Sequence, residues 1–268
     1  METPLISVIM PSYKSNEDWI IQAIDSVLEQ TYKNLELIIV CDEPTREIEA
    51  LIQKYVKNDK RVKYVKNNKK FNIWKALNQW IFLSEWKYIA RIDDDDIWDD
   101  KDKIKKQVEY MEFNEDCWLC WVNKVLNIDQ HWYNKNIVYM RKSDSEIRNT
   151  ILQSNQFSHP SVMIRKESLE KSWVYDVSCF TEDYDLWCRI WKFYKFCNID
   201  SSIKYRLRND SLWHKNFFKV KIKSFKVFWK YKKYYPNSFR AFILRFWDFF
   251  LSERIKNNIL KLLKKECW

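Results

Sequence analysis

The sequence predicts an α/β protein: a mostly parallel central sheet flanked by helices, followed by a C-terminal helical tail rich in basic residues. Three observations carry this prediction. Short apolar runs rich in β-branched residues alternate with longer amphipathic stretches through the first hundred residues, the order that yields parallel strands with crossover helices. One of those runs, Tyr88-Ile89-Ala90-Arg91-Ile92, ends abruptly in four carboxylates, Asp93-Asp94-Asp95-Asp96. The charge is also uneven: from His214 onward there are 15 Lys/Arg against 3 Asp/Glu, so the overall +10 belongs to the tail.

The elements follow in order. Residues 5–10 (Leu5-Ile6-Ser7-Val8-Ile9-Met10) read as a buried strand closed by Pro11-Ser12-Tyr13. Ser15 or Asn16 then caps a helix over 17–30, with Ile20, Ile21, Ile24, Val27 and Leu28 on one face. A second strand over 35–40 ends at Cys41-Asp42, and a helix over 46–58 leads to a third strand at 62–65. A helix near 73–84 precedes the acidic strand, and another follows it over 103–113. Apolar residues 119–125 suggest a strand, whereas 126–150 read as polar loop with a weak strand signal at 137–140. Phe157-Ser158-His159-Pro160-Ser161 enters a strand at 162–165. Thr181-Glu182-Asp183 opens a helix over 184–193, and a last strand lies near 199–205.

Bulk composition narrows the class. At 268 residues, 46% hydrophobic and 31% charged, the chain suits one large folded α/β domain with an appendage. No apolar run reaches the roughly 18 residues of a membrane span. Seven cysteines, scattered in apolar context, and an N-terminus without a signal peptide point to a reducing cytoplasm. Cys117-x-x-Cys120 has no second pair, which speaks against a zinc site.

Four adjacent carboxylates repel one another and need a cation or full hydration. Hard divalent ions take oxygen ligands, and Mg²⁺ sites combine one or two carboxylates with substrate phosphates. A solvated acidic turn is the plain alternative. The position at a strand's carboxyl end favours the ligand reading, because open α/β sheets bind ligands there.

Seven collinear segments now bear on function. They are Ser7-Val8-Ile9-Met10-Pro11-Ser12-Tyr13, Gln30-Thr31-Tyr32, Ile38-Ile39-Val40-Cys41-Asp42, Ala76-Leu77-Asn78, the acidic strand from Lys87 to Asp96, His159-Pro160-Ser161-Val162-Met163, and Glu182-Asp183-Tyr184-Asp185-Leu186-Trp187-Cys188-Arg189. Together, across roughly residues 5–213, they resemble the family 2 glycosyltransferases, enzymes of the GT-A (Rossmann-like) fold that invert the anomeric configuration. The resemblance implies a GT-A domain over 1–213, with a nucleotide-binding half (1–102) and an acceptor half (103–213), and a separate tail over 214–268.

It also implies roles. Asp93-x-Asp95 matches the family's Asp-x-Asp motif, with Asp93 on the nucleotide side and Asp95 and Asp96 on a Mn²⁺ or Mg²⁺ ion. Pro11, Tyr13, Asp42 and Lys75 would line the nucleotide; a helix-capping role for Asp42 and a solvated one for Lys75 are the alternatives. Asp183 matches the general base, although Glu182 and Asp183 would also complement a helix dipole. Glu182, His159, Arg189 and Arg208 are weaker candidates for the diphosphate or acceptor; His159 before a proline also suits a loop role. Arg208 stands where the family often has histidine, which removes a metal ligand and substitutes a guanidinium able to grip phosphate oxygens. No Gln-x-x-Arg-Trp of processive members is present, so single-sugar addition is expected. The implied donor is a UDP-sugar and the implied acceptor a glycan or lipid-linked hydroxyl in cell-envelope synthesis.

The tail interleaves aromatics with lysines and arginines, a composition that lies on anionic membranes as amphipathic helices. A helical cap on the core and a nucleic-acid surface are the alternatives, and no nucleic acid is expected as a partner. Two other readings compete for the whole chain. Sugar-nucleotide nucleotidyl transfer would want a glycine-rich phosphate loop near the N-terminus, which is absent. A nucleic-acid-binding protein would leave the acidic strand end and Asp183 unexplained.

The chain has no glycine and 15 tryptophans, where about 19 glycines would be ordinary. Trp74, Trp80, Trp86 and Trp173 stand where the resembled family has glycine, used there for positive φ or close backbone approach. The expectation is that UGA codons read as glycine in the source are written here as tryptophan. Intact-mass measurement of the native protein decides this: a mass below 33.3 kDa is expected, and an unshifted mass removes the idea.

Overall fold

The computed structural model describes residues 3–67, 78, 86–131, 133–141, 143–171, 175–176, 181–190, 192–208 and 217–250. Lys75, Trp74, Trp80 and Trp173, and the helix expected over 73–84 apart from Asn78, lie outside these residues.

Four parallel strands form the heart of the sheet: β1 (Ile6–Tyr13), β2 (Leu35–Asp42), β3 (Val62–Asn67) and β4 (Tyr88–Arg91). Their order is β3-β2-β1-β4. β7 (Met163–Arg165) joins antiparallel to β4, and next to it lies the long β5 (Cys117–Ile128). β5 pairs antiparallel with β6 (Asn134–Tyr139) and parallel with β8 (Lys195–Arg206). The mostly parallel α/β architecture predicted from the alternation is thus observed.

Residues alternate between the two sheet faces, as strands require. Ile6, Val8 and Met10 of β1 and Leu35, Leu37 and Ile39 of β2 face one core. That core is covered by α1 (Glu17–Leu28), α2 (Arg46–Asn58) and α3 (Lys103–Phe113). Ile9, Ile38, Val40 and Ile89 face a second core, closed by α4 (Asp144–Thr150), α6 (Glu182–Ile190), α7 (Phe217–Tyr231) and α8 (Ser238–Phe250). The remaining helix, α5 (Lys166–Lys171), follows β7 directly. Every position of β2 is buried, which explains why it reads as a continuous apolar run rather than an alternating one.

Two expectations are corrected. The stretch 126–150, read as polar loop, holds the end of β5, the strand β6 and the helix α4. β6 is exposed along its whole length, so no apolar alternation announces it. α4 opens on a capping box in which Ser143 and Glu146 bond each other's backbone. The cysteines, expected as reduced thiols, include a bridge: Cys117 and Cys197 join β5 to β8, with Cα atoms 5.9 Å apart. Adjacent parallel strands bring the two side chains face to face. Cys41, Cys120 and Cys188 are buried free thiols.

Gln30-Thr31-Tyr32 has a positional role. The buried Gln30 amide donates to Asp100 O (2.9 Å) and accepts from Ile104 N–H (3.1 Å). Thr31 Oγ1 donates to Asp102 (2.6 Å). These bonds fix the chain leaving the acidic turn. Trp98 fixes the same segment: its indole N–H donates to Pro160 O (2.8 Å), tying the turn to the 3-10 turn His159–Ser161.

The tail packs on the second core, the helical-cap alternative. Val227, Phe228 and Tyr231 of α7 and Ala241 of α8 are buried there with Trp187 and Cys188. Asp185, almost fully buried on α6, accepts from Arg189 Nε (2.8 Å), Lys230 Nζ (2.8 Å) and Tyr231 OH (3.2 Å). Removing the carboxylate leaves Arg189 and Tyr231 without that partner in a dry interface. Asp185→Ala is therefore expected to lower unfolding stability by about 3 kcal/mol, read by urea titration; an unchanged midpoint would show that this junction is not structural.

Candidate active site

The carboxyl ends of β1, β2, β3 and β4 lie along one edge of the sheet, because these strands are parallel. Tyr13 and Asp42 end β1 and β2 in register with each other, and Asp42 is in register with Asn67 at the end of β3. Asn67 Nδ2 donates to Asp42 Oδ1 (2.6 Å). Burial raises the Asp42 carboxyl above its ordinary range. The cap of α2 is Thr45, which accepts from Ile48 N–H (3.3 Å), so Asp42 is not a helix cap. Pro11 is buried beneath this corner and Tyr13 is exposed beside it.

Lys14 and Glu43, directly after Tyr13 and Asp42, have φ of 51° and 52°. Both are left-handed, a conformation that costs non-glycine residues about 1 kcal/mol or more and collects at functional sites. Asn16 caps α1 by accepting from Trp19 N–H (3.2 Å), which frees Ser15 for another task. Ser12 Oγ bonds Ser15 Oγ (2.6 Å), and Ser15 Oγ donates to Asp94. A hydroxyl chain thus runs from β1 to the acidic turn.

The four carboxylates separate into distinct environments. Asp93 pairs with Arg91 (2.7 Å). Asp94, the middle position of Asp93-x-Asp95, is held by Ser15; burial and the neighbouring Asp95 charge push its carboxyl up to about 7. Asp95 Oδ2 accepts from Arg208 Nη1 (3.1 Å), and its carboxyl is raised by burial and Asp93. Asp96 is 1% exposed; Oδ1 accepts from Arg206 N–H (2.8 Å), while Oδ2 is buried without a hydrogen-bond partner. Burial, then the charges of Asp95 and Asp93, raise Asp96 well above the ordinary carboxylate range.

That orphaned oxygen bears on the divalent ion. Leaving a buried carboxylate oxygen unpaired is costly, and a hard cation would satisfy it. Asp95 and Asp96 together offer the two-carboxylate oxygen set that suits Mg²⁺ or Mn²⁺. The residues present therefore fit the ion. Among the described residues, no group of three or more His, Cys, Asp or Glu side chains converges as a cation cage.

β8 delivers the counter-charges. Ile97 and Lys204 pair through both backbone bonds (3.0 and 2.8 Å), which seats the end of β8 against the acidic turn. Arg206 Nε donates to Asp95 O (2.9 Å). The guanidinium groups of Arg206 and Arg208 lie 4.8 and 5.2 Å from the Trp19 ring centroid. Tyr205, next in line, has its phenol raised by burial and by the charges of Asp96, Asp93, Asp95 and Asp183.

Across the cleft, Glu182 and Asp183 occupy the first turn of α6. Asp183 Oδ2 accepts from Asn155 Nδ2 (2.9 Å). Burial raises both carboxyls, that of Glu182 to about 8 with the Asp183 charge added. Arg91 lies between the halves: it pairs with Asp93 and also feels Tyr175, Glu182 and Asp183. It donates to the His159 ring as well, and His159 Nε2 bonds Tyr175 OH (2.9 Å). Burial and the Arg91 charge hold His159 well below its ordinary range, so the ring is neutral. Asn78 clamps the Tyr175 backbone from both sides (2.8 and 3.1 Å).

Of the predicted site residues, the structure brings together Pro11, Tyr13 and Asp42 in one corner, and Asp93, Asp95, Asp96, His159, Glu182, Asp183 and Arg208 around the cleft. Arg189 bonds Asp185 at the α6–α7 junction. Arg91, Tyr175, Asn155, Ser15, Arg206 and Tyr205 were missed as site residues. Arg91 lies inside the quoted acidic strand and Arg206 two residues before Arg208, but only the folded geometry joins them to carboxylates far along the chain.

A family model described as Glycosyl transferase family 2 matches residues 7–173. The chain belongs to glycosyltransferase family 2. An uncharacterised glycosyltransferase of Methanocaldococcus jannaschii is 33% identical over 260 residues, covering 93% of this chain and 86% of that protein. An O-antigen biosynthesis glycosyltransferase of Escherichia coli is 30% identical over 192 residues, covering 69% of this chain and 71% of its own. The solved mannosyltransferase of Pyrobaculum calidifontis, in complex with GDP-Man and Mn²⁺, aligns over 100% of this chain and 81% of its own. Its TM-score is 0.65 at 12% identity, which shows a shared GT-A fold. This glycosyltransferase therefore has the fold and enzyme class that its sequence motifs imply.

The raised acids give a pH signature. Folded Asp94 keeps its proton up to about 7, whereas the unfolded carboxyl loses it near its ordinary value of 3.8. Between these limits the folded state binds more protons, so stability without divalent ions falls as pH rises. Asp94→Asn should reduce the loss between pH 5 and 8 by on the order of 2 kcal/mol in urea unfolding with EDTA. An identical pH dependence in the variant would show that Asp94 ionises normally.

Proposed function

We propose that this glycosyltransferase moves a single sugar from a nucleoside diphosphate, a UDP-sugar in the first instance, to a hydroxyl of a glycan or lipid-linked acceptor. The observation that carries the proposal is the convergence on Arg91 and Tyr205: donor-side carboxylates from one half of the chain meet Asp183 from the other. The E. coli relative, named for O-antigen biosynthesis, supports a place in cell-envelope polysaccharide synthesis.

Asp42 and Asn67 read the base. A carboxylate accepts from a ring N–H, which uracil and guanine carry and which adenine and cytosine lack, while the amide adds a donor or acceptor beside it. Tyr13 lies at the same corner, placed to cover the base. Asp93, oriented by Arg91, takes the ribose hydroxyls. Asp95 and Asp96 would hold Mn²⁺ or Mg²⁺, which when bound stabilises charge on the departing diphosphate. Arg208, already on Asp95, adds a guanidinium to the diphosphate oxygens.

Asp183 accepts the proton from the acceptor hydroxyl as its oxygen attacks the anomeric carbon. The bond from that carbon to the diphosphate oxygen breaks, its electron pair leaves with the diphosphate, and the configuration inverts in one displacement. Asn155 and the first turn of α6 keep the Asp183 carboxylate oriented for this transfer. Neutral His159, bonded to Arg91 and Tyr175, fixes the wall between donor and base without adding charge.

A donor panel of UDP-, GDP-, CDP- and ADP-sugars with Mn²⁺ or Mg²⁺ tests the reading. Turnover is expected with a uracil or guanine donor, and Asp183→Asn should lower kcat about a thousandfold while donor affinity persists. Asp95→Asn should weaken Mn²⁺ binding as well as turnover. Retained turnover in both variants would overturn the assignment.

A further inference from the structure

The outer face of the tail has no role in the transferase site. We propose that the outward face of α7 and α8 docks on an anionic phospholipid surface. Phe239, Ile243, Phe246 and Trp247 enter the headgroup–acyl boundary, and the flanking cations meet the lipid phosphates.

The two helices have unlike faces. Inward, Val227, Phe228, Tyr231 and Ala241 are buried, and Arg245 donates to Tyr184 OH (2.6 Å). Outward, Phe239 is 77% exposed and Trp247 51%, with Ile243, Leu244 and Phe246 exposed between them. Positions 239, 243, 246 and 247 follow the helical repeat and make one stripe. The stripe continues onto α7, since Phe242 lies 6.1 Å from Phe246 and 6.2 Å from the exposed Trp229. Contiguous apolar surface of this kind marks an interaction site on a soluble fold.

Charge selects the occupant. Residues 217–247 contain nine Lys/Arg and no Asp or Glu. Lys232 Nζ sits 3.5 Å over the Trp229 ring, and Lys226, Lys233 and Arg240 are exposed around the stripe. A second copy would set nine Lys/Arg against nine, with one acid, Asp248 of α8, on each copy to compensate. Residues 251–268 carry five Lys/Arg against two Glu, so they add to the basic charge rather than offset it. Nucleic acid would satisfy the cations and stack on rings, yet it offers the aliphatic Ile243 and Leu244 no apolar phase. Anionic lipid satisfies both: interfacial helices combine basic residues at headgroups with buried apolar side chains. Among the described residues no helix is long and apolar enough to cross a membrane, so the contact is peripheral.

The experiment is flotation of the full chain with vesicles of phosphatidylcholine containing phosphatidylglycerol, and of phosphatidylcholine alone. Flotation with the anionic vesicles only is expected, weakening as salt shortens the screening length from about 10 to about 3 Å. Phe239→Ser with Ile243→Ser, and separately Lys226→Glu with Lys233→Glu, should each weaken binding about tenfold or more with unchanged circular dichroism. No flotation with anionic vesicles, or binding indifferent to the apolar pair, overturns the proposal. Equal affinity for a DNA duplex, unaffected by the serine substitutions, also overturns it and assigns the face to nucleic acid.

Discussion

The structure depends on one electrostatic problem and its solution: four carboxylates at the end of a buried strand, held by a neighbouring arginine, a hydroxyl, and an arginine and a backbone N–H from far along the chain. Arg91 answers Asp93 from two residues away, but Asp95 and Asp96 are answered by Arg208 and the Arg206 backbone. That closure requires β8 to run parallel beside β5 and to end against Ile97. The later strands are thus anchored to the four parallel strands at the acidic turn itself. A change that shifts the end of β8 would disturb charge compensation and the site together.

The same edge explains the strained backbone. Positive φ at Lys14 and Glu43 turns the chain immediately after Tyr13 and Asp42, so both side chains stand at the sheet edge. Glycine would take these turns without penalty. A chain written without glycine carries the cost in ordinary residues at the Tyr13–Asp42 corner, where neighbouring strands over-determine the conformation.

Strands β1 to β4 and helices α1 to α3 were legible because burial imposes a period that the residues display. β6 and α4 were not, since an exposed strand has no apolar alternation and a short helix is announced chiefly by its cap. Among candidate site residues, motif order singled out Asp42, Asp93, Asp95, Asp96 and Asp183. Ser15 was read only as a candidate cap; the cap proved to be Asn16, and the hydroxyl reaches Asp94 across 79 residues. Such partners are set by tertiary closure, which local sequence does not encode.

α6 links the chemistry to the tail. Its first turn holds Asp183, and two residues on, in the same turn, Asp185 binds Lys230 and Tyr231 of α7. A helix of nine residues spans only about 14 Å, so Asp183 and the tail contact are rigidly related. Whatever fixes α7 therefore also fixes the position of the Asp183 carboxylate relative to the second core. Because Asp185 is buried and multiply bonded, that relation resists thermal fluctuation better than a loop contact would. The inner face of α7 is thus part of the frame that positions α6 and the carboxylates of its first turn.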